Sequence, residues 1–386
     1  MLRTAERKDY SHLVMNGQGG LKSVWLQITA KCNQHCAYCY MNASRATNQR
    51  LSFNEIDTIF RKAKGLGGQV MLISGGEPTI VKELPAILRA SAETYGFKTY
   101  LVTNGTGITD HLIRDLRELD VYVQVSMDSV DDEAYAKVRG LPLLSRVKRN
   151  VEKMVAENIG VALSVPITNV VDTSVVGVLD WAIECGVQNV HVSTSYSQRT
   201  GVTDDLTRQG AASVLTELYR YEKDHFYELS IDLIENMIIN AAGKGEPCST
   251  YCAPMSGRTL EVDAYGRTFY CGAITTVPEM ALGNILEEDF VDRYYDRSFS
   301  SKHLLLTPDK LSICSSCEYR GICKGSCRSQ ALTYTGDLFG PVSHCEDLKV
   351  LYAEMMRDYR AGELDELIAF LAMIHGPQLT AQTKCF

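Results

Sequence analysis

Cys32-Asn33-Gln34-His35-Cys36-Ala37-Tyr38-Cys39 is the stretch on which the reading of the fold turns. Three thiols fall within eight residues, separated by gaps of three and two, directly after an apolar run, Val24 to Thr29, that reads as a first strand. Gaps this short let one loop wrap a cubane iron–sulfur cluster and bind three of its irons, leaving the fourth iron open. The competing reading of such a loop standing alone is a zinc site with His35 as fourth ligand. The surrounding sequence separates the two.

Working outward, the chain from Val24 to Ser195 alternates short apolar runs with longer amphipathic stretches, the pattern of βα units that build a parallel sheet. Six strands are predicted: Val24 to Thr29, Gln69 to Ser74, Lys98 to Thr103, Val121 to Met127, Val161 to Thr168 and Asn189 to Ser195. The first helix carries a capping box, Ser52 as N-cap with Glu55 three residues on, and stops at Gly65, Gly67 and Gly68. The fold class is α/β. Six units give a partial (βα)6 barrel of TIM type, whose active site lies at the C-terminal ends of its strands.

Those strand ends carry further motifs. Gly75-Gly76-Glu77-Pro78 follows the second strand, Thr103-Asn104-Gly105 ends the third, Ser126 and Asp128 end the fourth, and Arg139 follows in a loop-helix segment. The CxxxCxxC loop followed by these elements resembles the radical S-adenosylmethionine (SAM) superfamily. The resemblance implies that Cys32, Cys36 and Cys39 hold a [4Fe-4S] cluster whose open iron binds the methionine end of SAM. The split cofactor would then yield a 5′-deoxyadenosyl radical that takes hydrogen from substrate. By the same resemblance Tyr38 packs on the cofactor, while Gly75, Gly76 and Glu77 meet its amino group. Asn104, Ser126, Asp128 and Arg139 would serve its ribose and carboxylate, and Asn169 and Val192 its ribose and adenine.

Period-two alternation is a separate source of information. On the fourth strand Tyr122, Gln124, Ser126 and Asp128 share one face, and Val121, Val123 and Val125 the other. The polar face is expected to line the barrel. The same counting turns Gln27, Thr29, His191 and Ser193 inward, so Gln27, Gln124 and His191 are candidate substrate contacts, with a satisfied polar core as the plainer alternative.

Thirteen cysteines are unevenly spread: after the first three, eight fall between Cys248 and Cys345, and Cys185 and Cys385 stand alone. Cys252, then Gly266, then Cys271, then Cys314-x2-Cys317-x5-Cys323-x3-Cys327 and Cys345 resemble the SPASM domain, which carries two auxiliary [4Fe-4S] clusters. The resemblance assigns Cys248, Cys252, Cys271 and Cys327 to an inner cluster and Cys314, Cys317, Cys323 and Cys345 to an outer one. If Cys248 is instead a buried thiol, the inner cluster has an open iron. Structural zinc is the alternative for these thiolates too. Thr259 to Asp263 and Arg267 to Cys271 flank a tight Ala264-Tyr265-Gly266 turn. The implied domains are 1–201 for the barrel, 202–247 for a helical bridge, 248–349 for the cluster domain and 350–386 for a helix and tail. Cys185 reads as a small buried side chain.

A formal charge of −8 with no Lys/Arg cluster argues against nucleic acid, and no apolar run or secretory signal argues for a membrane. The cytoplasm is the expected compartment. Oxidative maturation of a ribosomal precursor peptide, with electrons from flavodoxin or ferredoxin, is the activity the resemblance implies first. Oxidation or epimerisation of an aminocyclitol or sugar is second, and a non-catalytic zinc protein third. Cys271 is followed by Gly272 and not by the acidic base of sulfatase maturases, which argues against formylglycine chemistry. Only 31 residues precede Cys32, too few for a leading peptide-recognition domain of roughly 80 residues.

Overall fold

The computed structural model describes residues 21–39, 41, 43, 47–167, 175–193, 211–243, 258–274, 281–295 and 307–375. Six strands run in the expected order: β1 (Ser23–Gln27), β2 (Val70–Ser74), β3 (Lys98–Thr103), β4 (Tyr122–Ser126), β5 (Val161–Pro166) and β6 (Asn189–Ser193). Neighbours pair in parallel throughout, Gln27 opposite Ser74 and Ser164 opposite His191. Helices α1 (Phe53–Gly65), α2 (Leu84–Arg89), α3 (Asp110–Glu118), α4 (Asp132–Arg139), α5 (Leu144–Ala156) and α6 (Val175–Cys185) fill the crossovers.

The two faces of the sheet differ as the alternation predicts. Val24, Leu26, Leu101, Val123, Val125, Leu163 and Val190 are buried to 1% exposure or less, whereas Tyr100, Val102, Ser126, Ser164 and His191 on the other face stay half-buried. Burying each branched side chain under the helices contributes about 1.5–3 kcal/mol, which fixes the register and turns the polar set into the lumen. The capping box of α1 forms as read, with Glu55 N–H on Ser52 Oγ at 3.3 Å and Ser52 N–H on Glu55 Oε2 at 2.7 Å.

Two features were not visible in the sequence. The stretch read as a helical bridge holds α7 (Ala211–His225) and α8 (Asp232–Ala241) but also β7 (Ser230–Ile231), which extends the sheet beside β6. A two-residue strand is too short to show a period. The hairpin β8 (Thr259–Val262) and β9 (Arg267–Phe269) turns at Gly266, φ +78°, as expected, yet β8 also pairs in parallel with β1, and β10 (Ala281–Asn284) adds an outer strand. One ten-stranded sheet therefore runs β10-β9-β8-β1-β2-β3-β4-β5-β6-β7. The helical run near the C-terminus divides into Cys345–Ala361 and Asp365–His375 at Gly362.

Helix Cys345–Ala361 is locked to α7 by buried Asp358, which accepts hydrogen bonds from Tyr219 Oη and Lys223 Nζ, both at 2.8 Å. Burial pushes the Asp358 carboxyl up, but hydrogen bonds from Lys223, Tyr219 and Arg357 outweigh it and hold the group below its ordinary value. This stabilisation is present above the ordinary carboxylate pKa and is lost as pH falls through the depressed one. Asp358→Asn should cost about 2 kcal/mol at pH 7 in denaturant unfolding, and the gap to wild type should narrow as the pH is lowered toward 3.

Candidate functional site

The cysteine loop leaves β1 and crosses the turn that ends β2, and glycine makes that crossing possible. A Cβ on Gly76 would stand 2.2 Å from the Lys31 carbonyl oxygen, and one on Gly75, at φ +148°, 2.6 Å from that of Thr29. Backbone hydrogen bonds seal the contact, Gly76 N–H to Thr29 O at 2.7 Å and Glu77 N–H to Lys31 O at 2.9 Å. Glu77 is fully buried. Its Oε1 accepts from Thr103 Oγ1 at 2.6 Å, Thr79 Oγ1 at 2.5 Å and Thr79 N–H at 3.0 Å, and its Oε2 from Asn104 N–H at 2.7 Å. Asn104 in turn donates to Asn33 Oδ1 at 2.8 Å. The ends of β1, β2 and β3 are thus one hydrogen-bonded unit.

On the other side the loop meets β4 and α4. Tyr38 Oη donates to Asp128 Oδ1 at 2.6 Å, Arg139 Nε donates to Asp128 Oδ2, and the guanidinium carbon lies 5.4 Å from the Tyr38 ring centroid. Arg139 Nη1 also points at Cys36 Sγ, 3.7 Å away. Burial pushes the Tyr38 hydroxyl well above its ordinary value, although Arg139 counteracts this. Main-chain bonds from His35 N–H to Arg139 O and from Ala37 N–H to Val138 O hold the helix end against the loop.

Each of the three thiols receives an N–H: Gln34 N–H on Cys32 Sγ and Ala43 N–H on Cys39 Sγ, both at 3.4 Å, and Arg139 on Cys36. None is in a disulfide. Donors aimed at every sulfur suit thiolate ligands of an iron–sulfur cluster, and His35 is exposed. Burial pushes the Cys32 thiol up to about 11, and Cys36 is raised by the same cause. A bound cation reverses that, because coordination deprotonates a thiol.

The lumen face supplies the remaining side chains. Gln27 Nε2 donates to Glu261 Oε1 at 2.6 Å, Gln124 is buried at 8% exposure, and His191 Nδ1 lies 2.5 Å from Asp232 Oδ2. Val192 turns its side chain to the helices and its N–H to Asp232 Oδ1. Asn169, Cys248, Cys252 and Cys385 lie outside the described residues. Glu261 fills the space beside Cys271: a Cβ on Gly272 would meet its carboxylate oxygens at 2.0 and 2.1 Å. No acid follows Cys271 in sequence, but a carboxylate reaches that place from β8.

Of the later cysteines, Cys271, Cys314, Cys317, Cys323, Cys327 and Cys345 are described, none of them in a disulfide. Burial is the main cause that raises the Cys323 and Cys345 thiols, and the neighbouring Cys314 and Cys345 add to the first and Cys314 and Cys317 to the second, so these four lie near one another. Cys327 is also raised chiefly by burial, but its other influences are Gln330, Ser329 and Arg328 and no cysteine among the described residues. No group of three or more His, Cys, Asp or Glu side chains among the described residues is arranged to hold a single metal ion.

Comparison with known proteins agrees with this geometry. Residues 26–182 match the family model described as the Radical SAM superfamily, so the chain carries a radical SAM domain. It is 24% identical to an AdoMet-dependent heme synthase of Methanosarcina barkeri, over 83% of this chain and 94% of that protein. It is also 24% identical to a PqqA peptide cyclase of Rhizobium meliloti, over 81% and 83%. Among solved structures, native anSMEcpe with bound AdoMet superposes with a TM-score of 0.74 at 18% identity, covering 90% of this chain and all of that one. Streptococcus suis SuiB bound to S-adenosylmethionine does so at 0.66 and 20%, covering 83% and 76%. These two likenesses are of fold.

The residues missed from sequence are Thr79, Asp232, Glu261 and Ser164. Ser164 alone had a signal, its place on the inward face of β5. Gly76→Ala should displace the cysteine loop, so that iron bound after anaerobic reconstitution falls by at least a cluster's worth while far-UV circular dichroism is retained.

Proposed function

We propose that this enzyme cleaves SAM reductively and uses the radical to cross-link or otherwise oxidatively mature a ribosomal precursor peptide. The observation that carries the reading is the convergence of Cys32, Cys36 and Cys39, the Gly75-Gly76-Glu77 turn and the Tyr38–Asp128–Arg139 group at the C-terminal ends of β1 to β4. When bound at the three cysteines, a [4Fe-4S] cluster supplies the electron that splits SAM. Arg139 and Asp128 fix the position of Tyr38 and of the Cys36 sulfur. The Gly75 and Gly76 backbone, with Glu77 holding it, meets the methionine amino group, and Asn104, Ser126, Asn169 and Val192 serve the nucleoside. Gln27, Gln124 and His191 face the substrate and exclude water from the lumen.

Residues 248–349 are proposed as a SPASM domain with two auxiliary clusters, the inner held by Cys248, Cys252, Cys271 and Cys327 and the outer by Cys314, Cys317, Cys323 and Cys345. The mutual influence of Cys314, Cys317, Cys323 and Cys345 supports the outer set. The barrel is placed in 1–201, the bridge in 202–247 and a terminal helix and tail in 350–386. A peptide substrate is supported by the relatives named as PqqA peptide cyclases and by the anSMEcpe and SuiB structures with bound peptides. Flavodoxin or ferredoxin is the proposed donor, and the cytoplasm the proposed compartment; no described helix is long and apolar enough to cross a membrane. Neither nucleic acid nor membrane is a proposed partner. The relative named as a heme synthase favours a small molecule as the second reading.

Anaerobic reconstitution should give about twelve irons per chain, the content of three cubanes. Cys36→Ala should abolish formation of 5′-deoxyadenosine, and undiminished cleavage would overturn the assignment. Co-expression with a short precursor encoded beside the gene should lower that peptide's mass by two hydrogens per cross-link.

A further inference from the structure

Across β4, β5 and β6 the register sets Ser126 opposite Ser164 and Ser164 opposite His191, all three on the half-buried lumen face. Adjacent strands lie about 4.8 Å apart, so the three side chains form one continuous row. The row starts at Ser126, a proposed cofactor contact, and ends at His191. The His191 ring is held from one side: Nδ1 meets Asp232 Oδ2 at 2.5 Å, and Asp232 Oδ1 accepts the Val192 N–H at 3.3 Å. The His191 side chain keeps 20% of its surface open, and because Nδ1 is occupied, Nε2 is, among the described residues, the nitrogen left for a ligand.

We propose that His191, oriented by Asp232 and flanked by Ser164, anchors a carboxylate of the substrate beside the radical site, so that the peptide segment being modified bears an acidic side chain. This rests on the peptide-modifying reading above. A carboxylate there accepts a charge-assisted hydrogen bond from Nε2–H and a second from the Ser164 hydroxyl. Asp232, at the head of α8, fixes the tautomer and balances the imidazolium charge. Of the elements packed on β6, β5 and β7 carry no titratable side chain, while α8 carries Asp232 and Glu235. Burial lowers the His191 pKa, but Asp232 outweighs this by charge and by hydrogen bond, and the net shift is upward. The anchor is therefore present below the raised pKa and is lost as pH rises through it.

The test is anaerobic calorimetric titration of the reconstituted enzyme with glutarate, which needs no turnover. Wild type should bind glutarate, with affinity falling about tenfold per pH unit above the His191 pKa. His191→Gln should weaken binding at pH 6.5 by at least about tenfold, the loss of one charge-assisted hydrogen bond. Asp232→Asn should move the pH midpoint downward, and Ser164→Ala, the smallest change, should weaken binding several-fold in a fold left intact. Absence of glutarate binding in wild type, pH-independent binding, or equal binding by wild type and His191→Gln would each overturn the anchor. SAM cleavage by the same wild-type preparation tests the underlying reading separately. A preparation that cleaves SAM but ignores glutarate sinks the anchor alone.

Discussion

The buried ion pair of Asp128 and Arg139 is the constraint on which the rest of the site depends. Their side chains are 3% and 6% exposed, so neither charge can be left without its partner. Burying two charges is costly, and such a pair gives little net stability against an apolar substitute; its value lies in fixing positions. Here it fixes three. Asp128 is held at the end of β4, Arg139 at the end of α4, and through Tyr38 Oη and Cys36 Sγ the pair holds the cysteine loop between them.

On the opposite side the same loop is pressed onto Gly75 and Gly76, and the two constraints act together. The glycine turn sets how closely the loop approaches β2, while the ion pair sets where its second half lies over β4. Glu77 makes the first constraint stiff, because its two oxygens collect four hydrogen bonds from the ends of β2 and β3. A loop of eight residues that had to find three sulfur positions alone would lose much conformational entropy on binding metal. A loop held at both edges has lost most of it on folding.

Continuity of the sheet carries this order into the C-terminal half. Because β8 pairs with β1, the hairpin that bears Cys271 is locked to the strand that precedes Cys32, and Glu261 is delivered to the lumen beside Gln27. On the far edge, β7 and the head of α8 deliver Asp232 to His191. Both acids come from segments distant in sequence from the groups they serve, one at each edge of the parallel sheet.

Local chemistry was legible in the sequence. The Ser52–Glu55 cap, the Gly266 turn and the alternation on β4 each depend on residues a few positions apart, and each formed as read. The inward face followed from the same period, so Gln27, Gln124 and His191 reached the lumen. What the sequence could not determine was which side chains meet across the sheet. Asp232 with His191, Glu261 with Gln27 and Glu77 with Thr103 are separated by 41, 234 and 26 residues, and no local pattern encodes such pairs. Only the order of the parallel strands, set by burial of the valines and leucines on the outer face, brings them within hydrogen-bond reach.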